Sequence, residues 1–155
     1  MAYVRQAIRA DVAHLAPKVR EADREEVKAS DNISIGEALL APFKYKHAIT
    51  FSVIGTEEEH VIAMFGSVPS PEKGYGVAWL LSSNELFNYK KEFIKQCPKW
   101  VKELGTPYKA VFNFVDVRNT KTLKWLKYLG FKQMETVKNY GHAKRPFVLI
   151  VKEIQ

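Results

Sequence analysis

Residues 110–131, AVFNFVDVRNTKTLKWLKYLGF, constrain the fold more than any other stretch of the chain. Val111, Phe112, Phe114, Val115 and Val117 read as a strand buried on both faces, because β-branched and aromatic residues fill it almost without alternation. The chain then turns into a helix. Leu123, Leu126 and Leu129 fall on one face by three-residue spacing, with Trp125 beside them, while Lys121, Lys124 and Lys127 face water. Gly130 stops that helix.

The remainder is long enough to build one core around this unit. With 155 residues, 46% hydrophobic and 12% aromatic, a single domain over 1–155 is expected. No apolar run approaches the roughly 18 residues of a membrane span, and MAYVRQAIRADV lacks the apolar centre of a signal peptide, so an intracellular protein is expected. The single cysteine, Cys97, permits no intrachain disulfide or cysteine-built zinc site, and its place among apolar helix positions marks a buried filler rather than a nucleophile. A balance of 24 Lys+Arg against 17 Asp+Glu gives +7, which favours anionic partners in general.

Tyr3 to Arg9 reads as a first strand, and Asp11 starts a helix whose apolar face is Val12, Leu15 and Val19. Arg20 to Lys28 is a mixed charge run, expected as the solvated end of that helix and the link after it. Ser34-Ile35-Gly36-Glu37 is a capping box, and the short helix it opens should end by Pro42. Lys46 to Ile54 and His60 to Val68 form a hairpin over GTEEE, whose Glu57, Glu58 and Glu59 read as a charged tip. Gly74 to Leu81 should be a central strand. Glu85 to Leu104 reads as the longest helix, with Leu86, Phe93, Cys97, Trp100 and Leu104 on its apolar face and a kink expected at Pro98. Its other face carries Lys90, Lys91, Lys95, Lys99 and Lys102. No nucleic-acid-binding signature accompanies them, so they read as a solvated or protein-docking face. Lys132 to Tyr140 and Phe147 to Ile154 close the chain as a strand pair over the GHAKRP turn.

The strand, helix and Gly-Phe stop resembles the last conserved block of GCN5-related N-acetyltransferases (GNAT), with Asn119, Thr122, Leu126 and Gly130-Phe131 on the matching positions. The resemblance implies an α/β (α+β) fold with a mixed central sheet of about seven strands and about four helices. It also implies a central strand splayed from its neighbour, with acetyl-CoA in the gap and its pyrophosphate on a glycine-rich loop at the following helix start. Here that loop is replaced by Ser82-Ser83-Asn84-Glu85-Leu86-Phe87, which has no glycine and carries a carboxylate in the first turn. If the cofactor binds, Leu81, Ser82, Ser83, Asn84 and Asn119 are the candidate contacts. Asn119 reads first as a helix cap and second as a cofactor contact. The tyrosine that many family members use to protonate the leaving thiolate is replaced by Leu126. Tyr128 is the nearest substitute, although it is turned by about 200° around the helix, where packing or surface exposure is expected. Asp116 is the well-placed carboxylate for a general base, or simply an acceptor for backbone hydrogen bonds in the turn.

From Ala63 to Lys152, AWLLSSNELF, the basic helix, NFVDVRNTKTLKWLKYLGF, YG and FVLIVK are similar to the internal virion protein A family of short-tailed bacteriophages. That resemblance implies a role in virion morphogenesis and members that likewise lack the glycine loop. Two readings follow. In the first, the chain is a phage-encoded, non-catalytic scaffold that binds phage or host proteins, or another copy of itself, in the host cytoplasm or the virion, with no cofactor and no nucleic acid. In the second, it is an acetyl-CoA-dependent N-acetyltransferase acting on an amine or a protein lysine.

Overall fold

The computed structural model describes residues 2–154, apart from the side chains of Lys90 and Ile94. Seven strands form one sheet: β1 (Ala2–Gln6), β2 (Ile49–Gly55), β3 (His60–Pro69), β4 (Tyr75–Ser82), β5 (Ala110–Asp116), β6 (Lys132–Tyr140) and β7 (Arg145–Glu153). Their order across the sheet is β1-β2-β3-β4-β5-β7-β6. Every pairing is antiparallel except β4 with β5, which run parallel and pair only from Tyr75–Val77 against Ala110–Phe112. Past Val77 and Phe112 the two central strands separate, and a gap opens in the middle of the sheet.

Among the described residues there are five α-helices: α1 (Ala10–Leu15), α2 (Glu21–Asp31), α3 (Ile35–Leu40), α4 (Lys90–Gly105) and α5 (Thr120–Tyr128). Helices α4 and α5 cover one face of the sheet, where Phe93, Cys97, Val101 and Trp125 pack on Ile62, Phe65, Val111 and Val115. On the other face α1 and α3 place Val12, Leu15, Ile35 and Leu39 against Ile54, Val61, Met64 and Leu81. A β-bulge at Ile62, where Val53 pairs with Ala63 and Ile54 with Val61, shifts the alternation of β3, so that Ile62 and Phe65 face one core and Val61 and Met64 the other. The helical end of the 110–131 unit behaves as its sequence requires. Trp125 is buried, and Gly130 ends α5 with a φ of +93° that only glycine adopts freely.

Three expectations are corrected. The Arg20–Lys28 charge run is a helix of its own, because α1 stops at Leu15 and the extended Val19, bridged to Ser83, separates it from α2. Five α-helices rather than four result. The long helix begins at Lys90 rather than Glu85, since residues Asn84–Tyr89 form a 3-10 turn that buries Leu86 in the core. Strand β5 is closed on one face only: Val111 and Val115 are buried, while Phe112 and Phe114 are half-buried, with Phe114 stacked on Tyr140 at 4.5 Å. Helices α1 and α3 lie over β2–β4 and do not reach that side of β5.

Candidate functional site

The gap between β4 and β5 leaves main-chain polar groups without a neighbouring strand. The Ser83 N–H donates to Ile62 on β3 at 2.9 Å, so by the two-residue alternation Ser82, Leu80 and Ala78 turn theirs toward the gap. Side chains answer most of them. Asn113 Nδ2 donates to the Ala78 carbonyl, and Asn113 Oδ1 accepts from the Phe114 N–H at 2.7 Å. Asp23 accepts from the Ser82 N–H at 3.1 Å, and Glu26 accepts from the Asp116 N–H at 2.8 Å. Among the described residues no hydrogen bond reaches the N–H or C=O of Leu80 from across the gap.

Both carboxylates come from α2, whose sequence reads as solvated charge. They are held from three directions. Arg20 pairs with Asp23 at 3.3 Å and donates to Asn119 and Thr122, Asn119 Nδ2 donates to Asp23 at 3.2 Å, and the Arg20 N–H donates to the Ser82 carbonyl. At the other end of α2 the β6–β7 turn donates from His142 and Ala143 to the carbonyls of Ser30 and Ala29. Arg20 and Asp23 are only 7% and 2% exposed, which no surface helix would permit.

Burial sets the proton affinities here. It pushes the Glu26 carboxyl up to about 7, with the nearby Asp23 and Asp116 charges adding to the rise and the Asp116 N–H and Asn119 opposing it. Burial also raises Asp23, against the pull of Arg20 and the Ser82 N–H. Asp116 goes the other way. Its burial is outweighed by Arg118, which grips both oxygens, and by Arg145, so its carboxyl lies below the usual range. A carboxylate so occupied is a poor proton acceptor, and Glu26 is the better base.

Two cavities meet at the gap. One, of about 90 Å³, lies on the α4/α5 side and is lined by Phe65, Phe93, Cys97, Trp100, Trp125 and Leu126 among others. The second, of about 260 Å³, lies against α2 and α3. Glu26, Trp79, Leu80 and Asn113 line both. Among the described residues the buried indole N–H groups of Trp79 and Trp100 have no hydrogen-bond partner. Cys97 is inert, its thiol pushed up to about 12 by burial.

The sequence-derived candidates are scattered around this centre. Leu81 is buried beneath α1 and α3, Ser82 gives its N–H to Asp23, and Ser83 gives both N–H and Oγ to Ile62. Asn84 is exposed at the start of the 3-10 turn. Glu85 meets the His60 ring, and this contact is the main cause of the raised His60 proton affinity. Asn119 does not cap α5 with its side chain, which is spent on Asp23 and Arg20. Tyr128 is 69% exposed, while Leu126 lines the smaller cavity. The groups missed from sequence are Asp23, Glu26, Asn113 and the Leu80 backbone. Only the amphipathic break after Pro17 hinted that α2 was separate. Phe87 lies between the Arg20 guanidinium, 4.8 Å from its ring centre, and the Lys121 ammonium at 5.1 Å. Among the described residues no group of three or more His, Cys, Asp or Glu could hold a metal ion, and no helix is long and apolar enough to cross a membrane.

The open Leu80 backbone is a strand-like partner for an extended amide or carbonyl. The Ser82 and Ser83 N–H groups, already engaged, offer an anion nothing.

No family model matches the chain, and no curated protein sequence is similar to it. Solved structures are. A GNAT-family acetyltransferase from Streptococcus pneumoniae superposes with a TM-score of 0.67 at 13% identity, covering 100% of both chains. A GCN5-related N-acetyltransferase from Kribbella flavida gives 0.68 at 17% identity over 98% of this chain and 97% of its own. An aminoglycoside acetyltransferase in complex with coenzyme A gives 0.68 at 16%, covering 99% and 95%. The fold is the GNAT fold, with its seven-stranded mixed sheet.

Proposed function

We propose that the chain is an acetyl-CoA-dependent N-acyltransferase that uses Glu26 as its base. The observation that carries this reading is the juxtaposition, in one gap with a cavity on either side, of an open Leu80 backbone and the half-buried Glu26 carboxyl, pushed up to about 7 by desolvation. Acetyl-CoA, when bound, supplies an activated thioester carbonyl. The Leu80 N–H would donate to the carbonyl oxygen as it gains negative charge. The acceptor amine attacks the carbonyl carbon, its proton passes to the Glu26 carboxylate, the new N–C bond forms, and the C–S bond breaks. The thiolate leaves with the electron pair and takes a proton from water, because neither Leu126 nor the surface-exposed Tyr128 offers one at the gap. Lys121 beside Phe87 would meet the phosphates, in place of a glycine loop. The fold shared with acetyltransferases supports this reading.

A second reading has its own support in the engaged Ser82 and Ser83 N–H groups and the carboxylate of Glu85 at the loop. It is the one implied by the bacteriophage resemblance: a non-catalytic scaffold that binds phage or host proteins during virion assembly. Calorimetric titration with acetyl-CoA and with CoA separates the two. Saturable micromolar binding is expected for the transferase, retained in Glu26→Gln, whereas release of free CoA thiol in the presence of lysine peptides is lost in that variant. No heat up to millimolar ligand would end the transferase reading and leave the scaffold.

A further inference from the structure

The outer surface of α4 and α5 holds a charge pattern that the gap does not use. Lys91, Lys95, Lys99 and Lys102 are all exposed on α4. At 100° per residue they fall within about 80° of arc, opposite the buried Phe93, Cys97, Val101 and Leu104, and span about 16 Å of the axis. Lys90, which the sequence groups with them, lies outside the described side chains. The neighbouring α5 packs on α4 through Phe93 and Trp125, whose rings are 5.6 Å apart, and exposes Lys124 and Lys127 on the same side of the sheet, while Lys121 lies over the Phe87 ring and is not counted with them. Among the described residues none of these six lysines is in an ion pair. The opposite layer is mixed, exposing Glu21, Glu25, Asp31 and Glu37 beside Lys18, Lys28 and Lys44. The excess of positive charge is therefore concentrated on the α4/α5 face, where Glu103 is exposed beside the lysines.

We infer that the α4/α5 face docks on the phosphate backbone of nucleic acid, without sequence selectivity. Two observations favour phosphate over an acidic protein surface. The face is built from lysine with no arginine on either helix, whereas protein–protein interfaces are enriched in arginine and depleted in lysine, and counterion release from a phosphate backbone asks only for point charges. Among the described residues Tyr128 is its one large exposed apolar side chain, whereas protein interfaces are depleted in lysine and centred on aromatic and apolar anchors. A duplex presents about ten charges over a 16 Å length, so several lysines of the α4 stripe can be neutralised together. The absence of a recognition motif in the sequence excludes base readout and leaves this electrostatic mode intact. The surface does not include the gap, so its test stands apart from that of acyl transfer.

The test is fluorescence anisotropy of a labelled mixed-sequence duplex of about 24 base pairs, titrated with the full chain from about 50 to 200 mM NaCl. Binding is expected to weaken with salt with a log–log slope of roughly −3 to −4, corresponding to about four released counterions. The triple variant Lys95→Glu, Lys99→Glu, Lys124→Glu should lose at least about tenfold in affinity at the lowest salt and flatten that slope. Lys18→Glu with Lys28→Glu, outside both helices, should change the affinity less than about twofold. Circular dichroism of each variant verifies the fold. No binding at the lowest salt, an unchanged affinity in the triple variant, or polyglutamate bound as tightly as the duplex would overturn the inference, the last pointing to an acidic protein.

Discussion

Glu26 carries the largest consequences of any single residue. Its carboxyl is raised from 4.5 to about 7 by burial, so the folded chain holds a proton that the unfolded chain releases at lower pH. Between those two values the folded state binds more protons, and stability from this group falls as pH rises from about 4.5 to 7 and is then flat. The cost of the ionised form is on the order of 3 kcal/mol. Glu26→Gln removes it while keeping an acceptor for the Asp116 N–H. Its melting temperature at pH 8 is expected to exceed that of the parent and its stability to lose the decline between pH 5 and 7, as followed by thermal unfolding across pH. A variant less stable than the parent at pH 8 would refute the desolvated ionised carboxylate. Neither Asp23 nor Glu26 could be singled out in the sequence. A run such as EADREEVK has the pattern of a wet helix, and the partners that bury it, Ser82, Asp116 and Asn119, lie 59 to 96 residues further along the chain.

Elements defined by local chemistry were read correctly, and those defined by distant contacts were not. Helix α3 starts where the capping box requires, with the Ser34 hydroxyl accepting from the Glu37 N–H at 3.1 Å and the Glu37 carboxylate accepting from the Ser34 N–H. Ser34→Ala should lower stability by about 1 kcal/mol in urea unfolding, with an unchanged slope. An effect near zero would mean that α3 is held by Ile35 and Leu39 alone. The strands, the hairpin and the Gly-Phe stop were equally legible, because periodicity and turn chemistry are local. The start of α4 was not. Leu86 keeps the apolar spacing of the helix that follows, so its burial from a 3-10 turn leaves no mark in the pattern.

At the scale of the whole molecule, α2 acts as a bolt across the opening of the sheet. It is seated at one end on Ser82 and Asn119 and at the other on the β6–β7 turn, where Gly141 sits at a φ of +72°. A Cβ at Gly141 would come within 2.7 Å of the Ser30 backbone, so Gly141→Ala must push the turn away from α2. Loosening by about 1.4 kcal/mol would speed hydrogen exchange at the Ser82 and Asp116 amides by about tenfold, even though neither touches the substituted turn. Exchange unchanged at both amides would show that the far end of α2 holds independently. The GNAT resemblance in the sequence gave the sheet and its gap, since both rest on core residues. It could not give the bolt.

The same ties fix the order of assembly. Eleven residues are too few for α2 to be a stable helix alone in water. Arg24 ties it back to the carbonyls of Ala16 and Val19, but the contacts that seat it across the gap come from later in the chain, at Ser82, Asp116 and Asn119 and then at His142 and Ala143. During synthesis α2 therefore emerges before these partners and is fully seated only once the closing hairpin has left the ribosome and formed.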